Sequence, residues 1–159
     1  MRHEHPRGDN AAVKRWILRA VIVGTVVFVG LQLFPFGRIE QRPTTAEAPW
    51  PTEESRRLAI NACYDCHSNE PTLEWFDRIA PGSWIVAEHV AEGRLELNFS
   101  EWDRYADEAD DAADTLEDDE MPLRQYTLLH PEARLTDAER RTLIAALRQL
   151  EGADDDDRG

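Results

Sequence analysis

The chain of 159 residues is short of several residue types, and each shortage narrows what it can be. Lys14 is its single lysine, so arginine carries every other fixed positive charge. There are two cysteines, Cys63 and Cys66, and two methionines, Met1 and Met121. With no second cysteine pair, a closed four-ligand zinc site lacks ligands. No stretch alternates apolar and polar residues, which argues against a sheet, and there is no internal repeat. A thioredoxin-like reading of the cysteine pair needs a β-α-β setting and finds none. From Arg38 onward thirteen arginines face thirty aspartates and glutamates, a formal −17. That balance argues against nucleic acid and anionic membrane surfaces as partners and suits a basic redox protein.

What is present begins with Cys63-Tyr64-Asp65-Cys66-His67. Cys-x-x-Cys-His is the spacing of a c-type haem attachment site. Two thiols three positions apart add across the two vinyl groups of one porphyrin, and the next side chain reaches the iron. Cys63 and Cys66 are therefore candidate thioether sites and His67 the proximal ligand. Both cysteines are used and no thiol is left over.

The N-terminal end has a different character. Residues 1–16 are basic and residues 17–36 are almost wholly apolar, interrupted by Arg19 and Gln32. Twenty helical residues span about 30 Å, the thickness of the hydrocarbon core, with Arg19 snorkelling to the headgroups. Trp16, Phe34 and Phe36 fall near the two interfaces. The nearest small-residue cleavage pattern, Ala46-Glu47-Ala48, lies about ten residues beyond the run, which favours an uncleaved transmembrane anchor. Basic residues on the N-terminal side place that end in the cytoplasm of a single-pass inner-membrane protein and the rest on the periplasmic side.

Beyond the span, residues 37–51 carry three prolines and read as a linker. Residues 52–151 read as an all-α domain of short helices. Thr52 is positioned to cap the first, which runs into the cysteine motif. Ser83 caps a helix ending near Gly93, Ser100 caps another, and Thr136 with Glu139 forms a capping box for the last. Leu143, Ile144, Leu147 and Leu150 recur there at helical spacing, with Gly152 as a stop. Residues 152–159 read as a disordered acidic tail. About 100 residues of short helices make a marginal core, so a haem would supply much of the apolar contact.

The second face of the iron has three candidates. Met121, followed by Pro122, is a loop thioether and the preferred distal ligand; His130 and His89 are the alternatives. Met/His ligation favours electron transfer over ligand chemistry. The carbonyl of Pro81, fourteen residues after His67, is a candidate acceptor for the His67 ring N–H. Trp75, Trp84, Trp102 and Tyr126 are candidates to line the haem or donate to its propionates.

Several segments resemble, in order, a bacterial haem-binding domain family related to class I cytochromes c. They are Asn61-Ala62-Cys63-Tyr64-Asp65-Cys66-His67-Ser68-Asn69, Ile79-Ala80-Pro81-Gly82-Ser83-Trp84, Leu97-Asn98-Phe99-Ser100-Glu101-Trp102, Met121-Pro122, and the stretch from Tyr126 to Leu135. The resemblance covers about residues 50–150. It implies a small cytochrome c-like helical domain around one covalent haem c, with Cys63, Cys66 and His67 in the roles above. By analogy with class I cytochromes, Met121 and Pro81 take theirs. Leu73-Glu74-Trp75-Phe76 lacks the proline such domains tend to carry there.

The expected function is that of a membrane-anchored mono-haem c-type cytochrome passing one electron at a time, a carrier more than an enzyme. The alternative is a haem-based sensor or peroxidase-like protein with a displaceable distal ligand. A haem-free thiol–disulfide protein is the third reading, and it needs a reactive thiolate.

Overall fold

A computed structural model describes residues 10–34 and 37–157, and among these it is helical, with no strand. Seven α-helices follow one another: α1 Asn10–Leu33, α2 Glu53–Ala62, α3 Tyr64–His67, α4 Gly82–Glu96, α5 Ala109–Glu117, α6 Arg124–Leu129 and α7 Asp137–Asp157. Short 3-10 turns lie at Phe76–Arg78, Trp102–Arg104, Ala106–Glu108 and Pro131–Ala133. Ala46 and Glu101 form an isolated β-bridge.

The core follows from one spacing used three times. Ser55, Leu58, Ala59 and Ala62 are buried on α2, Ala109, Ala113 and Leu116 on α5, and Leu143, Ala146, Leu147 and Leu150 on α7. Residues at i, i+3, i+4 and i+7 share one helix face, so each helix turns a single stripe inward. α7 packs against both α2 and α5. The alanines of α5 leave room for the leucines of α7 to approach its backbone. Phe99, 1 % exposed, extends this core toward the motif. Its ring stacks on Tyr64 at 5.5 Å and Trp102 at 6.0 Å, and meets Trp50 at 5.1 Å.

The caps expected for α2 and α7 are present. Ser55 N–H donates to Thr52 Oγ1 at 3.0 Å, and Thr52 N–H donates back to Ser55 Oγ at 3.3 Å. Thr136 N–H donates to Glu139 Oε2 at 2.9 Å, and Glu139 N–H donates to Thr136 Oγ1 at 3.3 Å. Other boundaries differ from expectation. Ser100 caps nothing: it is buried, its Oγ accepts from Asn69 N–H, and the helix after it begins at Ala109. Ser83 lies inside α4, whose N-cap is Pro81, and that helix passes Gly93 to end at Glu96. α7 runs past Gly152 to Asp157, through most of the stretch expected to be disordered. One glycine costs a helix only about 1 kcal/mol against alanine, too little by itself to end it.

α1 has 24 residues, about 36 Å of helix, with no buried residue. It is one helix long and apolar enough to cross a membrane. It starts seven residues before the expected span and ends two residues before Pro35, consistent with the bias against helix ahead of proline. Phe36 lies outside the described residues.

Residues 37–51 do not behave as a free spacer. Arg42 N–H donates to Asn69 O, Ala46 N–H to Ser100 O, and Ala48 N–H to Phe99 O, at 2.9, 3.2 and 2.9 Å. The end of α1 is tied in as well: Gln32 Nε2 donates to Ala80 O, and Ala80 N–H donates to Gln32 Oε1, both at 3.1 Å. Gly37 sits at φ 78°, where a Cβ would lie 2.6 Å from Ser83 O. Only glycine combines that conformation with so close an approach.

Candidate functional site

The motif occupies a break between two helices. Cys63 ends α2 and precedes α3, so one turn of helix presents Cys66 and His67 while Cys63 stays at the junction. Backbone bonds from Cys66 N–H and His67 N–H to Cys63 O, at 3.1 and 2.9 Å, close that turn. Both cysteines are free thiols. Burial pushes the Cys63 thiol up to about 12 and the Cys66 thiol up to about 11, with Asp65 adding to the second. They are protonated at neutral pH, unlike the depressed thiolates of dithiol oxidoreductases.

His67 is held from the end of α4. Its Nδ1 lies 3.0 Å from Leu97 O. A carbonyl can only accept, so Nδ1 carries the proton and Nε2 keeps its lone pair. Burial also lowers the His67 pKa, which favours the neutral ring a metal requires. The expected partner, Pro81, does not serve here: its carbonyl accepts from Trp84 N–H at 3.1 Å. Pro81 stands at the start of α4 and the His67 acceptor follows its end, so the carbonyl of residue 97 holds the ring.

α4 reaches the motif because Gly93 permits it. A Cβ on Gly93 would stand 2.8 Å from Cys66 O, so any side chain there would strike the motif's backbone. Behind His67 lies a closed polar network. Asn98 Nδ2 donates to Asn69 Oδ1 at 2.9 Å, Asn69 Nδ2 donates to Pro43 O and Glu101 Oε1, and Ser100 N–H donates to Asn98 Oδ1. These asparagines are each 1 % exposed and their amide groups are engaged, so the network fixes geometry with little residual cost. Phe99 N–H donates to His67 O at 2.9 Å, joining network, core and motif.

The other expected residues fall in two places. Tyr126 O–H donates to Asp65 Oδ2 at 2.6 Å, so that hydroxyl is engaged by the motif itself. Burial raises the Asp65 carboxyl even though this bond and Thr72 N–H oppose the shift. Tyr126 stacks on His130 at 4.0 Å. His130 is buried, its Nδ1 is 3.2 Å from Tyr126 O, and its Nε2 has no hydrogen-bond partner though Asp77 Oδ2 is 3.5 Å away. Asp65, Tyr126 and His130 thus form one chain of contacts beside the motif. Met121 lies half-buried between α5 and α6, its N–H donating to Thr115 O at 3.3 Å. His89 is half-buried on α4. Trp102 belongs to the core around Phe99, and Trp75 is exposed against Phe76.

Three residues that matter here carried no signal of their own: Leu97, which acts through its backbone; Gly93, which acts by lacking a Cβ; and Arg94, buried beside them. Arg94 Nε donates to Ser68 O at 2.7 Å and Nη1 to Glu40 O at 3.0 Å.

Haem fits this donor set. Two neutral thiols sit one helical turn apart, next to an imidazole whose Nδ1 is held by Leu97 O and whose Nε2 keeps its lone pair. No group of three or more His, Cys, Asp or Glu residues placed to hold a metal ion is found among the described residues. No curated protein and no solved structure matches the chain. A family model described as a haem-binding domain matches residues 26–149, beginning inside α1 and ending inside α7. That match spans most of the sequence, and the chain belongs to the haem-binding domain family.

Proposed function

We propose that this haem protein is a membrane-anchored mono-haem c-type cytochrome that carries single electrons on the extracytoplasmic side of the membrane. The observation that carries the reading is the 3.0 Å contact from His67 Nδ1 to Leu97 O directly after the paired free cysteines. Cys63 and Cys66 would hold the haem as thioethers, each thiol adding its S–H across one vinyl group in a redox-neutral step that needs no oxidant, and His67 Nε2 would supply the lone pair for the iron. When bound, the haem supplies an iron that gains and loses one electron. Met121 is the preferred donor on the other face, with His130 and His89 as alternatives. Its segment is anchored by the backbone bond to Thr115 O, and a thioether there favours a high potential and a closed iron.

The basic N-terminal stretch and α1 support an anchor with its N-terminus in the cytoplasm. The acidic exterior domain suits a basic redox partner.

The deciding experiment is acid-acetone extraction followed by a pyridine haemochrome spectrum. The full chain would be made in a host with haem-attachment machinery. Haem retained with a two-thioether spectrum is the expected result; full extraction would overturn covalent attachment. On the same protein, Met121→Ala should open the iron to carbon monoxide and lower the potential. An unchanged spectrum would remove Met121 from the iron, and tight carbon monoxide binding by the unsubstituted protein would favour a sensor or peroxidase-like role.

A further inference from the structure

Arg94 is a buried charge that the reading so far does not use. It stands near the end of α4, three residues before the carbonyl that holds His67, and is 8 % exposed. Nε and Nη1 are both satisfied by neutral carbonyls, those of Ser68 and Glu40. Nη2 is buried with no hydrogen-bond partner. Among the described residues no carboxylate forms an ion pair with it. Glu101 and Glu40 both lie close enough to act on its charge, yet the Glu101 oxygens accept from Asn69 and Arg104, and Arg94 bonds Glu40 at its backbone carbonyl with no ion pair to its carboxylate. A buried guanidinium without a counter-charge is costly, and its cost falls when an anion arrives.

A second arginine is nearby. Arg42 is exposed, its charge acts against that of Arg94, and it forms no ion pair among the described residues. Acids outnumber bases 32 to 18 in this chain, so two neighbouring guanidiniums without a carboxylate partner mark a place for an anion from outside the polypeptide. Haem brings two carboxylates. A guanidinium nitrogen with two hydrogens is suited to hold one of them.

We infer that Arg94 receives a carboxylate of the haem through Nη2, with Arg42 beside it at the surface. The inference rests on haem being bound by this domain and names a contact beyond the thioethers and axial ligands. Ser68 follows His67 directly, so the bond from Arg94 Nε to Ser68 O ties the anion-binding group to the backbone one residue beyond His67. The held carboxylate stays ionised through neutral pH and does not take up a proton when the iron gains an electron.

The test uses the full chain with attached haem, unsubstituted and as Arg94→Gln, Arg94→Lys and Arg42→Gln. The readouts are haem per chain, the carboxylate-bending band in resonance Raman spectra, and the midpoint potential over about pH 5 to 9. Arg94→Gln should keep its haem, shift the band, and raise the carboxylate's proton affinity about tenfold or more, seen as a new break in the potential's pH profile. Arg94→Lys should restore much of the pH profile but not the band, since an ammonium lacks the planar fork. Arg42→Gln should change both less. A band and profile in Arg94→Gln identical to the unsubstituted protein, with haem attached, overturn the inference. If that variant does not accumulate, the same identity in Arg94→Lys overturns it. If the unsubstituted protein keeps no covalent haem, the covalent reading fails instead. Arg94 is then tested by haem affinity, expected about tenfold weaker in Arg94→Gln, equal affinity overturning it.

Discussion

Two regions of this molecule are held together by different physics. Around α7 the contacts are apolar: Leu143, Leu147 and Leu150 press on Leu58, Ala109, Ala113 and Leu116. Around the motif they are directional: His67 on Leu97 O, Asn98 on Asn69, Arg94 on Ser68 O, and a glycine that lets two backbones touch. Apolar contact is non-directional and tolerates repacking, whereas hydrogen bonds and close backbone approach fix position. The first region provides stability. The second provides a geometry, which the iron ligation proposed for His67 would need.

If the division is real, substitutions on the two sides should separate stability from haem spectra. The largest effect belongs to Leu147→Ala, which removes buried methyl groups between α7 and its neighbours and should cost about 2–5 kcal/mol in denaturant unfolding. Its haem spectrum should match the unsubstituted protein, and a changed axial-ligand spectrum would break the comparison. Gly93→Ala comes next. Helix propensity would gain roughly 1 kcal/mol, but a methyl 2.8 Å from Cys66 O forces α4 off the motif. Overpacking of this kind costs about 1–3 kcal/mol, and here the loss should appear first as a lower yield of attached haem. Asn98→Ala strips Asn69 Oδ1 of its donor inside the polar network, at about 1–3 kcal/mol, with a shift in the reduction potential as the diagnostic. The smallest is Thr136→Ala, which opens the cap of α7 for about 1 kcal/mol and should leave haem yield and potential untouched.

The sequence shows the first region far better than the second, for a physical reason. Helical stripes and caps are written in side chains at short spacing, so α2 with its Thr52 cap, the core stripe of α7 and the Thr136–Glu139 capping box could be read locally, while the return bond from Thr52 N–H to Ser55 could not. The Cys-x-x-Cys-His pattern is visible too, because the haem chemistry proposed for it requires residue identities. What could not be read acts through the backbone. Leu97 holds His67 with a carbonyl that every residue owns, so residue type favoured Pro81 wrongly. Proline content marked 37–51 as a spacer, yet its main chain pairs with residues 69, 99 and 100, partners whose identity is no clue. Ser100 has the composition of a cap but belongs to a buried network with Asn98 and the distant Asn69. Arg94 was indistinguishable from a solvated arginine until its burial was visible.

The pairing of Gln32 with Ala80 has a consequence of its own. The side-chain amide gives and takes one hydrogen bond as a peptide unit would, so the end of α1 joins the loop before α4 as one strand joins another. A domain on a slack leash samples many bearings, and an encounter must wait for a suitable one. Here that freedom is reduced: two hydrogen bonds couple the end of α1 to the loop before α4, whose far end is followed by the carbonyl that holds His67.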